Sequence, residues 1–207
     1  MNKMLTIDWD FFIDVSLSDR TDIFPHITDG SLSYNPNNSL WDKVSCNTKL
    51  FNKDFNQLVS CISSMKGLFK NTFVSENHGE AYNVFNLCGG FDEIVNVDFH
   101  HDLYFGSSHL CCDNWCTLLK NKNQFKYFWV KRKDSVTTTF GEEVDANILS
   151  FSKLLCLIKS GCFNTIHLCR SDLYTPPKFD PYFDLLKNTI INKSLSFKVL
   201  GHPLQMR

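Results

Sequence analysis

A three-layer αβα protein built on a mostly parallel sheet is predicted by three features of this 207-residue chain. Short, β-rich apolar runs recur along it and read as buried strands. Stretches of helical periodicity lie between them, an alternation that places helices over both faces of a parallel sheet. A 43% hydrophobic fraction that includes 19 Phe is enough for one full core, and the length falls short of the usual two-domain size, so residues 1–207 are read as one domain.

Residues 4–7, Met4-Leu5-Thr6-Ile7, form the first strand. From Ser16 to Lys49, Asp, Ser, Asn, Pro and Gly punctuate the chain without sustained periodicity. A stretch of that length inside a compact domain is usually functional or disordered, and residues 16–49 are read either as a lid over the site or as a surface excursion. Leu50, Phe51, Phe55, Leu58, Val59 and Ile62 recur at three- and four-residue spacing and predict an amphipathic helix. Thr72-Phe73-Val74 is the next strand, followed by a short helix at 80–88, a strand at 94–97 and a short helix at 113–120. A strand at 125–130 precedes the helix marked by Leu149, Leu154, Leu155 and Ile158. Strands at 165–168 and 197–200 flank a last helix at 181–191.

A net charge of −1 gives no general attraction to nucleic acid or acidic membranes. No run approaches the ~20 apolar residues of a membrane span, since Asp8 and Asp10 interrupt the first apolar stretch. Nine cysteines without a signal peptide point to a reducing compartment, and a cytoplasmic location is expected. Cys111, Cys112 and Cys116 lack the paired spacing of a structural zinc site. The oligomeric state is left open.

Chemistry concentrates at two strand ends. Ile94-Val95-Asn96-Val97 runs into Asp98-Phe99-His100-His101-Asp102, and Met4-Leu5-Thr6-Ile7 runs into Asp8-Trp9-Asp10. If both strands continue regularly, the period of two puts Asp98, His100 and Asp102 on one face and Asp8 and Asp10 on one face. His78 follows a third strand. Four carboxylates brought together repel by several kcal/mol per pair at ~4 Å and an intermediate dielectric, so such a cluster calls for cations. Two divalent ions neutralise it, and oxygen-rich ligation without thiolate favours manganese over zinc. A water shared by two such ions is deprotonated near neutral pH and becomes a nucleophile. In open parallel sheets ligands bind beyond the carboxyl ends of the strands, which is where all three segments fall.

These residues resemble a known family. Asp98-Phe99-His100-His101-Asp102 is similar to the Asp-Ala-His-x-Asp motif of the arginase, agmatinase and deacetylase superfamily. Thr6-Ile7-Asp8-Trp9-Asp10-Phe11-Phe12-Ile13-Asp14 resembles its Ser-x-Asp-x-Asp-x-x-Asp motif, and Glu76-Asn77-His78 resembles the segment bearing its first histidine ligand. The resemblance implies one manganese held by His78, Asp98, Asp102 and Asp8, and a second held by Asp98, His100, Asp8 and Asp10. The order differs from ordinary arginases, where the Asp-x-Asp strand follows the Asp-x-His-x-Asp strand, which implies either a circular permutation or an independently arranged relative. Among named groups the small peptide arginases are most similar, which implies conversion of arginine within a ribosomally made peptide to ornithine plus urea.

That reaction needs a proton donor and a carboxylate for the guanidinium. Asp102 belongs to the catalytic centre as well as to the ligand set. His101 faces away from the metal if the strand stays regular, which leaves His109, in the following loop, as the expected proton shuttle. Asp172 and Glu76 are the candidate guanidinium-binding carboxylates, because a carboxylate accepts two parallel hydrogen bonds from that group. The expected partner is an arginine-containing peptide. The alternatives are a small-molecule ureohydrolase, a deacetylase-type amidohydrolase with one Zn2+, and a metal-stabilised binding module without catalysis.

Overall fold

The computed structural model describes residues 1–15, 48–105, 107–139, 141–171 and 175–201. Eleven strands occur among them: β1 (Lys3–Asp8), β2 (Ile13–Asp14), β3 (Lys49–Leu50), β4 (Asn71–Ser75), β5 (Glu93–Val97), β6 (Lys126–Val130), β7 (Thr138–Thr139), β8 (Glu142–Glu143), β9 (Asn147–Ile148), β10 (Thr165–Cys169) and β11 (Phe197–Val199). Five α-helices accompany them: α1 (Asn52–Ser64), α2 (Glu80–Leu87), α3 (Trp115–Lys120), α4 (Phe151–Lys159) and α5 (Asp180–Ile191). Seven strands form one sheet in the order β11-β4-β10-β1-β5-β6-β9, and every pairing in it is parallel.

Both faces of this sheet are covered, which makes the fold a three-layer α/β sandwich. Leu5 and Ile7 of β1, Val95 and Val97 of β5, and Ile166 and Leu168 of β10 share one apolar cluster with Phe55, Leu58 and Ile62 of α1, Leu154 of α4 and Leu186 of α5. The alternate positions Met4, Ile94, Tyr127 and Trp129 pack on the opposite side with Val84 of α2 and Trp115 of α3. A period of two that is apolar on both faces is the expected signature of strands in a wholly parallel sheet. Helix α1 buries Phe55, Leu58, Cys61 and Ile62, the three- and four-residue spacing of an amphipathic helix. Helix α4 starts where the Ser150 hydroxyl accepts the Lys153 amide, which satisfies one of the unpaired donors at its N-terminus.

Chain order determines where a site can form. From β1 the chain passes to β4 on one flank, then crosses to β5 on the other, and β10 later enters between β4 and β1. A crevice at such a reversal lies beyond the carboxyl ends of the strands. Register brings those ends level, since Asp8 pairs with Cys169, Cys169 with Ser75, and Ile7 with Val97. The 16–49 loop lies outside the described residues from 16 to 47. β3 pairs antiparallel with β2, which directly follows the turn that carries Asp10.

Candidate metal centre

The two acidic segments do not continue as strands. β1 ends at Asp8 and β5 at Val97, so alternation along an extended chain is not what gathers the carboxylates. Instead, Asp8 Oδ1 accepts the Asp10 amide at 3.1 Å and Asp98 Oδ1 accepts the His100 amide at 2.8 Å. Each Asp thereby folds the backbone back two residues on, as Asp side chains do in turns. After Asp8 the chain enters a 3-10 turn, Trp9–Phe12, that buries Asp10. Asp102 is reached through a left-handed residue, its own φ being +55°. Ser171, at φ +50°, is the other non-glycine residue with positive φ among the described residues, and both line the same cavity. Backbone strain of about 1–3 kcal/mol per such residue is characteristically stored at functional sites.

His78 Nδ1 lies 3.0 Å from Asp98 Oδ2, 3.0 Å from Asp102 Oδ2 and 3.4 Å from Asp8 Oδ2. His100 Nδ1 lies 3.3 Å from Asp10 Oδ2 and 3.7 Å from Asp98 Oδ1. Two groups have the spacing of metal ligands, Asp8-His78-Asp98 and Asp10-Asp98-His100, and Asp98 belongs to both. The four aspartates and His78 are buried, whereas 35% of the His100 side chain is exposed. The groups adjoin a cavity of about 190 Å³ lined by Asp8, Asp10, His100, Asp102, Tyr104, Cys112, Asp113 and Ser171.

These charges hold one another far from their ordinary ionisation. Burial disfavours charge on His78, but Asp102, with Asp8 and Asp98, outweighs it and raises the imidazole well above its usual range. Burial likewise opposes charge on His100, yet Asp10 and Asp98 raise it to about 10. Asp8 is raised well above the carboxylate range by burial and by Asp10 and Asp98. Burial and Asp98 push Asp102 up to about 8. Asp98 is held well below that range because hydrogen bonds and charge from His100 and His78 overcome its burial. Without a metal, the site therefore gathers protons.

The residues present fit divalent ions on an independent observation. The buried His78 Nδ1 faces three carboxylate oxygens at 3.0 to 3.4 Å, a spacing at which they share either a proton or a cation. With that proton displaced, the ring nitrogen and the anionic oxygens around it are a set of donors about one cation position. Outer contacts hold the donors still: Trp115 Nε1 and Asn96 Nδ2 donate to Asp102 Oδ2 at 2.7 and 3.1 Å, and the Ser171 hydroxyl donates to Asp8 Oδ2 at 2.7 Å. Such support is part of a working metal site.

The other sequence candidates fall elsewhere. Glu76 is exposed and does not line the cavity. Asp172 lies outside the described residues. His109 is exposed and off the cavity wall, on the loop whose base is closed by the Tyr104 amide bonding to the Asp113 carbonyl at 3.2 Å. His101 does turn away, although not through strand alternation. Its Nδ1 accepts the Leu103 amide and its Nε2 reaches Thr139 Oγ1, while burial and the His100 charge lower it to about 4. Neither metal-spaced group contains a cysteine.

Sequence reasoning missed Tyr104, Cys112, Asp113 and Ser171 on the cavity wall, and Asn96 and Trp115 behind it. For Asn96 a signal existed. Thr6, Asn96 and His167 are polar positions inside otherwise apolar strands, and all three are fully buried. No protein-family model, curated protein or solved structure matches the chain.

Proposed function

We propose that this protein is a binuclear hydrolase that cleaves the guanidinium group of an arginine residue in a peptide, leaving ornithine and releasing urea, with two Mn2+ as its cofactors. The observation that carries the reading is the pair of ligand groups sharing Asp98 beside one cavity. His78, Asp8, Asp98 and Asp102 would hold one ion, and Asp98, His100, Asp8 and Asp10 the other. Bound there, two divalent ions supply Lewis acidity that makes water nucleophilic at neutral pH. The motif resemblance to arginases supplies the substrate class, and the shared carboxylate favours two ions over the single zinc of a deacetylase.

The chain's own residues supply binding and proton handling. Asp113, which lines the wall outside both ligand groups, would accept guanidinium N–H donors, a role expected from sequence for Asp172 or Glu76. Tyr104 stands beside it, its ring tilted 33° against that of His101 with centroids 4.4 Å apart. Burial, with the Asp113 and Asp102 charges, raises its phenol and keeps it protonated, so it can donate a proton toward the leaving amine. His109, farther along the same loop, is the second candidate donor. Water adds across the guanidinium carbon, the bond from that carbon to the side-chain nitrogen breaks, and this nitrogen takes the proton as urea departs.

Metal analysis of purified protein together with a urea assay on arginine-containing peptides tests the reading. Two Mn2+ per chain, urea release and a peptide mass loss corresponding to CH2N2 are expected. Turnover of free arginine alone favours a small-molecule ureohydrolase, cleavage of acetyl-lysine with one Zn2+ favours the deacetylase, and metal-dependent stability without turnover favours a binding module. No described helix is long and apolar enough to cross a membrane.

A further inference from the structure

Behind the ligands runs a chain of fully buried polar groups that neither metal-spaced group includes. Ser75 Oγ lies 2.8 Å from the Asn77 carbonyl oxygen and 2.8 Å from His167 Nε2. His167 Nδ1 lies 3.0 Å from Thr6 Oγ1, which in turn lies 2.8 Å from His78 Nε2. Ser75, Thr6, His78 and His167 are each 1% exposed or less. The His78 and His167 rings stack at 15° with centroids 5.8 Å apart.

Proton counting gives this chain one direction. A carbonyl oxygen can only accept, so the Ser75 hydroxyl spends its proton on Asn77, and Ser75 Oγ can only accept from His167 Nε2–H. His167 is fully buried and its two ring nitrogens face the Ser75 and Thr6 hydroxyls rather than a carboxylate that could compensate a charge, so the ring is neutral and its Nδ1 is an acceptor. Thr6 then donates its one proton to His167 Nδ1. Its oxygen is left to accept, and the partner on that side is His78 Nε2–H. Reversing any link would leave two donors or two acceptors facing each other in a water-free interior, at about 1–3 kcal/mol for each unsatisfied group.

We infer that Ser75, His167 and Thr6 are positioning residues that hold the His78 proton on Nε2 and so present Nδ1 as the metal-ligating atom. The same direction holds whether Nδ1 carries a metal or a proton, because only Nε2 belongs to the chain. Tautomer control of a ligating histidine through its second nitrogen is a general device. Here it is anchored on a backbone carbonyl through three side chains from three neighbouring parallel strands, β4, β10 and β1. The inference rests on the metal-centre reading and is independent of the substrate.

Cobalt(II) serves as the probe. In the cobalt-loaded full chain, His78 bound through Nδ1 should show a hyperfine-shifted Nε2–H proton signal that exchanges slowly with deuterium oxide. Thr6→Val should lose that slow exchange and bind Co2+ about 10- to 100-fold more weakly, the usual effect of removing such outer support. Thr6→Ser should restore both, which a purely packing role would not predict. Should Thr6→Val fail to fold by circular dichroism, Ser75→Ala, which removes the anchoring hydroxyl, should show the same loss. Bound cobalt without the slow signal in the wild-type protein overturns the inference, as does unchanged affinity in a folded Thr6→Val or Ser75→Ala. If the wild-type protein binds no Co2+, the metal centre fails. Nitrogen-15 histidine spectra of the metal-free protein then decide the relay separately at His167: a proton on Nε2 with none on Nδ1 supports it, and the reverse tautomer overturns it.

Discussion

Asp98 is the side chain on which both ligand groups depend, since its Oδ2 faces His78 at 3.0 Å while its Oδ1 lies 3.7 Å from His100 Nδ1. Asp10 and His100 serve one group alone. Asp98→Asn should therefore lose both Mn2+, whereas Asp10→Asn and His100→Ala should each lose one. All three should stay folded and release no urea. Metal content by elemental analysis, with circular dichroism for folding, checks this, and two retained ions in Asp98→Asn would refute the shared-ligand assignment. The proton donor can be separated in the same way. A group that acts in the transition state changes kcat and the pH profile more than KM, so Tyr104→Phe should lower kcat and shift the alkaline limb. His109→Ala run in parallel shows whether the exposed histidine contributes, because loss of a shuttle there would lower kcat more than it raises KM.

The 3-10 turn after β1 shows how packing positions chemistry. Trp9 is fully buried, with its ring 5.7 Å from Phe55 of α1 and 5.7 Å from Phe183 of α5. It thereby clamps the turn between two helices one residue before Asp10. Trp9→Ala should lower stability by about 3–5 kcal/mol through the cavity it leaves. It should also weaken occupation of the Asp10 site more than that of the His78 site, because the turn that orients Asp10 loses its anchor. Denaturant unfolding with and without Mn2+ measures the first effect, and metal titration the second.

For the whole chain, linkage between protons and stability has a definite sign. In the metal-free folded state, Asp8, His78, His100 and Asp102 hold protons more tightly than they would when unfolded. Their contribution is complete below the unfolded values and is lost as pH rises, through about 8 for Asp102 and about 10 for His100. Asp98 and His101 are shifted downward, and their opposite contributions are complete by neutral pH, so they leave the alkaline slope unchanged. The metal-free protein should lose thermal stability between pH 7 and 10. Added Mn2+ should offset that loss, with apparent affinity increasing over the same interval because bound metal displaces protons. Tm measured against pH with and without Mn2+ tests both statements, and a flat metal-free profile would contradict them.

The strand runs at 4–7, 72–74, 94–97 and 165–168 and the helical spacing of Phe55, Leu58 and Ile62 could be read directly. Backbone geometry imposes these periods on any local window, and burial on both faces leaves the strands no polar alternation. Asp8, Asp10, His78, Asp98, His100 and Asp102 were legible as candidates because they cluster just past such runs. Their actual meeting was not legible from strand alternation, because Asp8 and Asp98 stop their strands by bonding to amides two residues on. Nor could local pattern place Trp115 against Asp102, or Asp113 on the cavity wall while His109 stays off it. Those distances depend on sheet order and register, in which β10 inserts between β4 and β1 long after both have been made. Periodicity is written within a few residues; the convergence of strand ends comes from pairing between segments far apart in the chain.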